Sequence, residues 1–401
     1  MTLSGFGFGE PPTTLDRIRV RVPAKINLAL SVGDQRPDGY HELRTVFHAV
    51  DLYDELVLRR ANRWGVSVTA LGTGRPMLGV PRGMKNLAGV AGRSLQQWLR
   101  ESGLPMATEP VQIDIIKAIP LAGGMAGGSA DAAAALVGCN ALWGAELSRD
   151  ELAEVAAGVG SDVAFALHGG TAVGTGRGEL LSPVLTRMTL HWVLALSGDG
   201  LSTPEVFAEL DRLRLAHRTS PDREPSGTAT GGSAIDGTAT GGSDAAAGVD
   251  ETADAATDLP RPGAFAPESA TDPAPVSGPE PAADPEPAGD PGDADATGFG
   301  SGAVEDVIAA LRSGEVSEVA AALHNDLQPA AVSLDPALRR TLRAGTESGA
   351  LAAIVSGSGP TVALLCSDAD HAQQVAGEMA GSGTCRTVRT ASGPVPGARV
   401  V

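Results

Sequence analysis

The sequence predicts an α+β fold with two domains, and three features support this prediction. Strand-like and helix-like segments follow each other without the regular strand–helix–strand rhythm of a parallel α/β sheet. The chain has 401 residues, and setting aside one low-complexity segment leaves about 315, enough for two domains. A tract of small residues at 120–135 joins a strand to a helix, as phosphate-binding loops do.

The first domain is predicted to begin with a strand at 17–22, where apolar and polar residues alternate, and the alternation continues to Leu30. A second strand at 111–115 leads into the small-residue tract, and a helix follows from about Ser129 to Trp143. A capping box at 148–151 opens another helix. Strand-like segments are expected at 171–173 and 191–196.

The second domain is predicted to begin with a helix near residues 202–205, where Pro204 stands just inside the helix start. The remaining predicted elements are helices at 303–312, 315–323 and 369–380 and strands at 351–355, 361–365 and 386–390. We place the two domains at 16–198 and 199–401, after a disordered tail at 1–15.

The segment 217–302 reads as a disordered acidic insertion in the second domain. It holds 16 acidic and 3 basic residues, whereas the rest of the chain holds 32 and 27. It repeats Gly-Thr-Ala-Thr-Gly-Gly-Ser and is then rich in proline, so little of it could build a core. A solvated tether is the preferred interpretation, and a partner-binding or regulatory role is the alternative.

Composition also restricts where the protein works and what it binds. The three cysteines are far apart and lack metal-ligand spacing, which fits a reducing compartment. We find no signal peptide and no run of about 20 apolar residues, so we expect a cytoplasmic protein without a membrane partner. No basic face or tail indicates nucleic acid binding. The oligomeric state is left open between monomer and homodimer.

The tract at 120–130 is rich in glycine and alanine and is the clearest functional signal. It lacks the lysine of a P-loop, and neither it nor the Gly-x-Gly-x-Gly tract at 174–178 fits the dinucleotide fingerprint. Backbone N–H groups of such a loop, with a helix N-terminus behind it, suit a polyphosphate. Tight packing of a helix on a sheet is the alternative explanation for the small residues.

Two further motifs contain residues suited to catalysis and recognition. In residues 23–30, strand alternation puts Lys25 and Asn27 on one face, as in the wall of a substrate cleft, although an edge strand with a solvated lysine would look the same. In residues 37–43, turn residues precede Tyr40 and His41, which alone would equally suit a half-buried loop tyrosine beside a surface histidine.

Together these motifs resemble the GHMP kinase superfamily, which includes galactokinase, homoserine kinase and mevalonate kinase. The glycine tract resembles the ATP loop of that superfamily, except that Ala122 and Ala126 stand where many members have glycine. We expect a tighter loop from these alanines, provided that neither needs a positive φ. The resemblance also covers segments at 160–163, 202–207, 325–329 and 356–360.

The order of the motifs is most similar to the superfamily member of the non-mevalonate isoprenoid pathway. The resemblance implies ATP-dependent phosphorylation of the 2-hydroxyl of a cytidine-diphosphate ester of methylerythritol. It also implies an N-terminal ribosomal-protein-S5-like domain and a C-terminal ferredoxin-like domain, the second interrupted by the insertion. Other GHMP kinases and a nucleotide-binding regulator without turnover are the rival functions.

Residue roles follow from the resemblance, position by position. Asp162 would act as general base on the substrate hydroxyl, with Lys25 as its charged partner, whereas a helix N-cap is the alternative for Asp162. ATP with Mg²⁺ would lie on a loop whose residues are Pro120, Leu121, Ala122, Gly123, Gly124, Met125, Ala126, Gly127, Gly128, Ser129 and Ala130.

The same resemblance assigns the outer parts of the site. Asn86 and Lys117 would lie near the nucleotide, although Lys117 could equally be a solvated residue at a strand end. The Mg²⁺ ligands are left unassigned, with Ser129 as the candidate. Tyr40 and Phe207 would flank a cytosine, with His41 reading its edge. The other substrate contacts would be Asn27 and Thr203, whereas Phe47 is expected to be core.

Overall fold

The fold is taken from a computed structural model that describes residues 16–77, 79–81, 85–104, 108–197, 200–219 and 302–401. The predicted tail at 1–15 and all but four residues of the predicted insertion at 217–302 lie outside the described residues. Within the described ranges, no helix is long and apolar enough to cross a membrane.

The described residues form strands and helices in mixed order, which confirms the α+β class. The strands are β1 (Arg17–Gln35), β2 (His41–Arg60), β3 (Gly65–Ala70), β4 (Val111–Lys117), β5 (Thr171–Thr175), β6 (Leu180–Pro183), β7 (Leu190–Leu196), β8 (His324–Asn325), β9 (Ala352–Val355), β10 (Val362–Cys366), β11 (Thr387–Gly393) and β12 (Arg399–Val400). The helices are α1 (Leu87–Glu101), α2 (Gly127–Trp143), α3 (Arg149–Ala157), α4 (Ser161–His168), α5 (Thr203–Thr219), α6 (Ala303–Ser313), α7 (Val316–Ala322), α8 (Gln328–Leu334), α9 (Ala337–Glu347) and α10 (Ala369–Ser382).

The first sheet is built around the long antiparallel pair β1–β2. Its strand order is β12-β1-β2-β4-β3, β5 also pairs with β2 and then with β6, and β8 pairs parallel to β1. The β1–β2 register shifts between Pro23 and Ala24 and again between Asn27 and Ala29. Lys25 therefore lies in a short segment between two irregularities, which are common beside active sites because they redirect side chains.

Helix α2 covers the first sheet, and the small side chains of its alanines allow it to pack close to that sheet. It packs on β1 and β2 and against α1 and α4. A Cβ placed on Gly138 would fall 2.5 Å from a methyl carbon of Leu58, so the helix backbone touches the sheet side chains directly. The small residues after the loop thus serve packing, while those inside the loop have a second role described below.

The second sheet has the antiparallel order β11-β7-β10-β9 and both of its faces are covered. Along β7, Val193 and Ala195 face one apolar cluster, which includes residues of α9 and α10, whereas Trp192 and Leu194 face the cluster of the first sheet. Both faces of β7 are therefore buried. β7 precedes the predicted domain boundary at 198, and that boundary stays a prediction.

Most predicted elements are present with ends that differ by one to three residues, and the capping box is formed by Ser148 and Glu151. The sequence did not predict β2, β3, β6, β8, α1, α8 or α9. It also missed β12, which comes from the chain's last residues and pairs with the first strand at Val20 and Arg21. A two-residue strand has no periodicity to detect, so only the tertiary structure reveals it.

Candidate active site

Lys25 points into the molecule from β1 and is held by a neighbour on the same face of the strand. It is only 8% exposed, and its Nζ donates a 2.6 Å hydrogen bond to Asn27 Oδ1. Asn27 in turn donates to Thr45 Oγ1 at 2.8 Å. The predicted shared face of Lys25 and Asn27 is confirmed, and the solvated edge-strand alternative for Lys25 is wrong.

Lys25 is coupled to Asp162 by charge. Burial lowers the pKa of Lys25, and the carboxylate of Asp162 opposes that shift. Asp162 lies in the first turn of α4, whose N-cap is Gly160, so the alternative that Asp162 is itself the N-cap is wrong. In the described part of the chain the Asp162 carboxylate makes no hydrogen bond of its own.

The ring of Phe47 closes the other side of Lys25. Lys25 Nζ lies 5.5 Å from the Phe47 ring centroid, close enough for a cation–π contact. Phe47 is buried and its ring packs against Phe165 with centroids 4.9 Å apart. The expectation that Phe47 is core is confirmed, and the same ring also screens the lysine from water.

The glycine tract turns from β4 into α2 and lies directly against Lys25. The backbone N–H of Lys25 donates to the carbonyl of Met125, with an N···O distance of 3.4 Å. Helix α2 begins after Ala126, and no side chain caps its first turn. The first N–H groups of α2 are therefore available to ligand oxygens, and the helix dipole favours an anion there. Ser129 lies in this first turn.

The two alanines of the loop both have a positive φ. Ala122 has φ 46° and Ala126 has φ 55°, so both adopt the left-handed conformation that costs an L-residue about 1–2 kcal/mol. The condition under which a merely tighter loop was expected is therefore not met. The strain is retained because the turn into α2 requires it at Ala126, the helix N-cap.

A second turn, residues 356–360, supports the loop from the C-terminal half. Ser356 Oγ donates to the Gly124 carbonyl at 3.2 Å, and a Cβ on Gly124 would fall 2.0 Å from the Ser356 carbonyl oxygen. Asn325 Nδ2 donates to the carbonyls of Val355 and Gly357 at 2.7 and 2.8 Å. The two late motifs of the sequence thus form one support for the glycine loop.

Lys117 and Asn86, both predicted near the nucleotide, are buried beneath or beside the loop. Lys117 Nζ lies 2.5 Å from Asp54 Oδ2 and 2.8 Å from Asp131 Oδ2. It also donates to the Gly127 carbonyl at 3.0 Å, so the solvated alternative for Lys117 is wrong. Asn86 is the N-cap of α1 and its Oδ1 accepts from the Ala88 N–H at 2.9 Å.

The charges around Lys117 are not balanced, because one cation faces two carboxylates. Burial raises the pKa of Asp131; Lys117 opposes that shift and Asp54 adds to it. Burial alone would lower the pKa of Lys117, but Asp131 and Asp54 outweigh it and the pKa is raised. Sequence reasoning missed Asp54 and Asp131. The short spacing from Lys117 to Asp131 was visible, but nothing indicated that both pointed inward.

The predicted cytosine residues gather at the start of β2 and on α5. The rings of His41 and Phe207 are stacked with centroids 5.0 Å apart, and His41 Nε2 lies 3.0 Å from Asp211 Oδ1. Tyr40 is 56% exposed. Asp211, which sequence reasoning missed, follows Phe207 by one helical turn and orients the imidazole.

Thr203, the remaining predicted substrate contact, opens α5. Its Oγ1 lies 2.9 Å from Ser358 Oγ, a residue of the 356–360 turn. The structure therefore links the start of α5 to the support of the glycine loop. Among the described residues, no group of three or more His, Cys, Asp or Glu side chains is arranged to hold a metal ion.

Two family models match this chain, GHMP kinases N terminal domain over residues 88–170 and GHMP kinases C terminal over residues 307–384. A protein of Rhodococcus jostii named 4-diphosphocytidyl-2-C-methyl-D-erythritol kinase is 47% identical over 382 residues, covering 95% of this chain and 94% of the relative. One of Mycobacterium tuberculosis with the same name is 44% identical, covering 96% and 93%.

The chain belongs to the 4-diphosphocytidyl-2-C-methyl-D-erythritol kinase family of the GHMP kinases. The crystal structure of a 4-(cytidine 5'-diphospho)-2C-methyl-D-erythritol kinase superposes with TM-score 0.56 at 26% identity, covering 93% of this chain and 98% of the other. A homoserine kinase from Cytophaga hutchinsonii superposes with TM-score 0.60 at 18% identity, covering 99% and 100%. The second likeness concerns the fold alone.

Proposed function

We propose that this protein transfers the γ-phosphoryl group of ATP to the 2-hydroxyl of 4-diphosphocytidyl-2-C-methyl-D-erythritol, in the non-mevalonate pathway to isopentenyl diphosphate. The relatives that share 44–47% identity over nearly the whole chain carry the name of this kinase. The observation in this chain that supports it best is the buried Lys25, charge-coupled to Asp162 and bonded through its backbone to the glycine loop.

In the proposed reaction the substrate hydroxyl oxygen attacks the γ-phosphorus while the bond from that phosphorus to the β,γ-bridging oxygen breaks. The hydroxyl proton passes to the Asp162 carboxylate, and ADP leaves. Lys25 stabilises the negative charge on the transferring group, which is the main contribution a protein makes to phosphoryl transfer. Asn27 fixes the Lys25 ammonium through the 2.6 Å hydrogen bond described above.

The nucleotide phosphates would lie on residues 120–130, at the uncapped N-terminus of α2. Mg²⁺ favours phosphate oxygens with few protein ligands, and the hydroxyl of Ser129 in this first turn is the proposed protein contact. When bound, Mg²⁺ neutralises phosphate charge. Lys117 and Asn86 belong to the nucleotide side of the site, and their described contacts give them the task of holding the loop and the start of α1.

The cytidine end of the substrate would lie at Tyr40, His41 and Phe207, with Thr203 and Asn27 toward the sugar and the alcohol. The Asp211 carboxylate fixes one imidazole nitrogen of His41, which leaves the other nitrogen to face the base. We further propose a cytoplasmic enzyme, monomeric or homodimeric, with domains at 16–198 and 199–401 and an insertion at 217–302.

A coupled assay of ADP release tests the proposal with three acceptors, namely 4-diphosphocytidyl-2-C-methyl-D-erythritol, homoserine and mevalonate. We expect turnover with the cytidine substrate alone. Turnover with homoserine or mevalonate but not with the cytidine substrate would contradict the proposed acceptor. ATP binding without turnover on any of the three would favour the non-catalytic nucleotide-binding alternative.

A further inference from the structure

The Gly-x-Gly-x-Gly tract at 174–178 has no part in the function proposed so far, yet it reaches the substrate residues. It forms the turn between β5 and β6, with the Gly178 N–H donating to the Thr175 carbonyl at 3.0 Å. At its tip, the guanidinium carbon of Arg177 lies 5.1 Å from the ring centroid of Tyr40. An arginine is thus stacked on the tyrosine proposed to contact the cytosine.

Glycine is needed in this turn for its close packing and for its backbone conformation. A Cβ on Gly174 would fall 2.6 Å from Phe47 Cε2, and Gly176 and Gly178 have φ 72° and 101°. The Gly176 carbonyl accepts from the N–H of Leu43 at 2.7 Å, two residues after His41. The turn is therefore seated on the ring that also contacts Lys25 and is bonded to the strand that presents Tyr40 and His41.

The charge of Arg177 is largely unused within the protein. Its one ion-pair partner among the described residues is Glu179, at 3.8 Å between Nε and Oε1, which is beyond hydrogen-bond length. Glu179 is instead engaged by the turn backbone, because its Oε2 accepts from the N–H of Arg177 at 2.6 Å. The Arg177 side chain is 43% exposed, so its guanidinium N–H groups remain available to a ligand.

We propose that Arg177 binds the diphosphate of the substrate and thereby sets specificity for a cytidine diphosphate arm. This inference rests on the proposed function. A substrate that extends from Lys25, where its hydroxyl reacts, to Tyr40 must pass the turn that packs on Phe47, and its diphosphate lies between those two ends. Arginine matches this group because its planar donors bind phosphate oxygens bidentately, and stacking on Tyr40 holds the plane in place.

The test measures inhibition constants for cytidine and for cytidine diphosphate, together with the KM for the full substrate and for ATP. The variants are Arg177→Met, which removes the charge, and Arg177→Lys, which keeps it. Arg187→Met serves as the control, since Arg187 is an exposed arginine outside the turn. A thermal melt of each variant establishes that it is folded.

We expect Arg177→Met to weaken the binding of cytidine diphosphate and of the full substrate about 10-fold, with cytidine and the KM for ATP within about 2-fold of the parent. Arg177→Lys keeps the charge but not the planar donors, so its affinity should fall between those of Arg177→Met and the parent. An unchanged inhibition constant for cytidine diphosphate in Arg177→Met overturns the proposal. So does equal weakening of both ligands, which would assign Arg177 to stacking on Tyr40. A parent enzyme inactive on the cytidine substrate would instead overturn the proposed function.

Discussion

The Lys117 ammonium donates a hydrogen bond to the carbonyl oxygen of Gly127 at 3.0 Å, and so ties the end of β4 to the first residue of α2. The same ammonium is paired with Asp54 and Asp131, and all three side chains are almost fully buried. Asp54 Oδ1 also accepts from the N–H groups of Ala118 and Ile119. The cluster holds both ends of the segment that leads into the glycine loop.

Replacing Lys117 by methionine should destabilise the protein strongly. The change leaves the carboxyl groups of Asp54 and Asp131 buried without their cation, and removing one partner of a buried ion pair typically costs about 3–5 kcal/mol. Urea unfolding at pH 7.5 measures the loss. Lys85→Met is the control, because Lys85 is exposed, and it should change the free energy of unfolding by less than about 0.5 kcal/mol. Equal, small losses in both variants would exclude a structural role for the cluster.

Asp131→Asn should be far milder than Lys117→Met, and it should alter the pH dependence of stability. Burial raises the pKa of Asp131 above its unfolded value, so the folded chain holds the proton that the unfolded chain releases. This contribution to stability is fully present below the unfolded pKa and is lost as the pH rises through the folded pKa. Asparagine resembles the protonated acid, so the variant should lose less stability than the parent between pH 5 and pH 8. Parallel stability curves for the two proteins would contradict this.

His48 should make the protein sensitive to acid. It is fully buried, its Nδ1 lies 2.9 Å from Thr171 Oγ1, and burial lowers its pKa to about 3. The unfolded chain therefore binds a proton between pH 6.5 and pH 3 that the folded chain does not bind, and stability falls as the pH falls. The expected loss from this group is about 2 kcal/mol at pH 5.

The measurement is the free energy of unfolding of the parent and of His48→Gln at pH 7.5 and pH 5. The difference between the two proteins isolates His48 from Asp131, whose effect has the opposite sign over the same range. His191→Gln, on β7, is the matched control and should follow the parent. If His48→Gln loses as much stability on acidification as the parent does, the histidine is not the cause.

Asp162→Asn should abolish most of the turnover while leaving the fold and ATP binding intact. The variant keeps the shape of the side chain but removes the proton acceptor and the charge that faces Lys25, and general bases contribute typically 10²–10⁴-fold. We expect kcat to fall by about that factor in the ADP-release assay, with ATP affinity within about 3-fold by titration. Asp150→Asn changes the same residue type in the first turn of α3 and should keep full activity. Unchanged turnover in Asp162→Asn would remove its proposed role.

Glycine at position 126 should stabilise the protein, although alanine is usually the better residue in and around helices. Ala126 has φ 55°, a conformation that glycine adopts without strain. The substitution should stabilise the folded protein by about 1 kcal/mol, after subtraction of the cost of the extra conformational freedom that glycine gives the unfolded chain. Ala153→Gly, inside α3, should have the opposite sign and cost about 1 kcal/mol. Thermal and urea unfolding of both variants measure the pair. A destabilised Ala126→Gly would mean that the left-handed conformation carries no strain.

The sequence predicted the elements that follow from local periodicity and capping. Alternation located β1 and paired Lys25 with Asn27, because side chains two residues apart in a strand share a face. The Ser148–Glu151 capping box located α3 because both of its hydrogen bonds lie within four residues. The long β2 was not assigned.

The contacts of the site were less accessible from the sequence. Asp54, Asp131 and Asp211 carry no local mark of function, and each gains its role from a partner on another element. The interpretation of Lys117 as nucleotide-facing or solvated gave no hint of the buried cluster, because the direction of a side chain at a strand end depends on what packs over it. The left-handed alanines were likewise hidden, since φ is set by how the loop joins β4 to α2.

By itself, the sequence determined the α+β class and the position of the glycine loop, because motif spacing and short-range geometry encode these, whereas the partnership of Lys25 with Asp162 followed only from the resemblance to the GHMP kinases. Only the tertiary structure decided that the 356–360 turn supports the loop, that Lys117 is held between two carboxylates, and that Arg177 stacks on Tyr40. Residues far apart in the chain make these contacts, and their free energy comes from burial and charge pairing that exist only once the sheets and helices have packed.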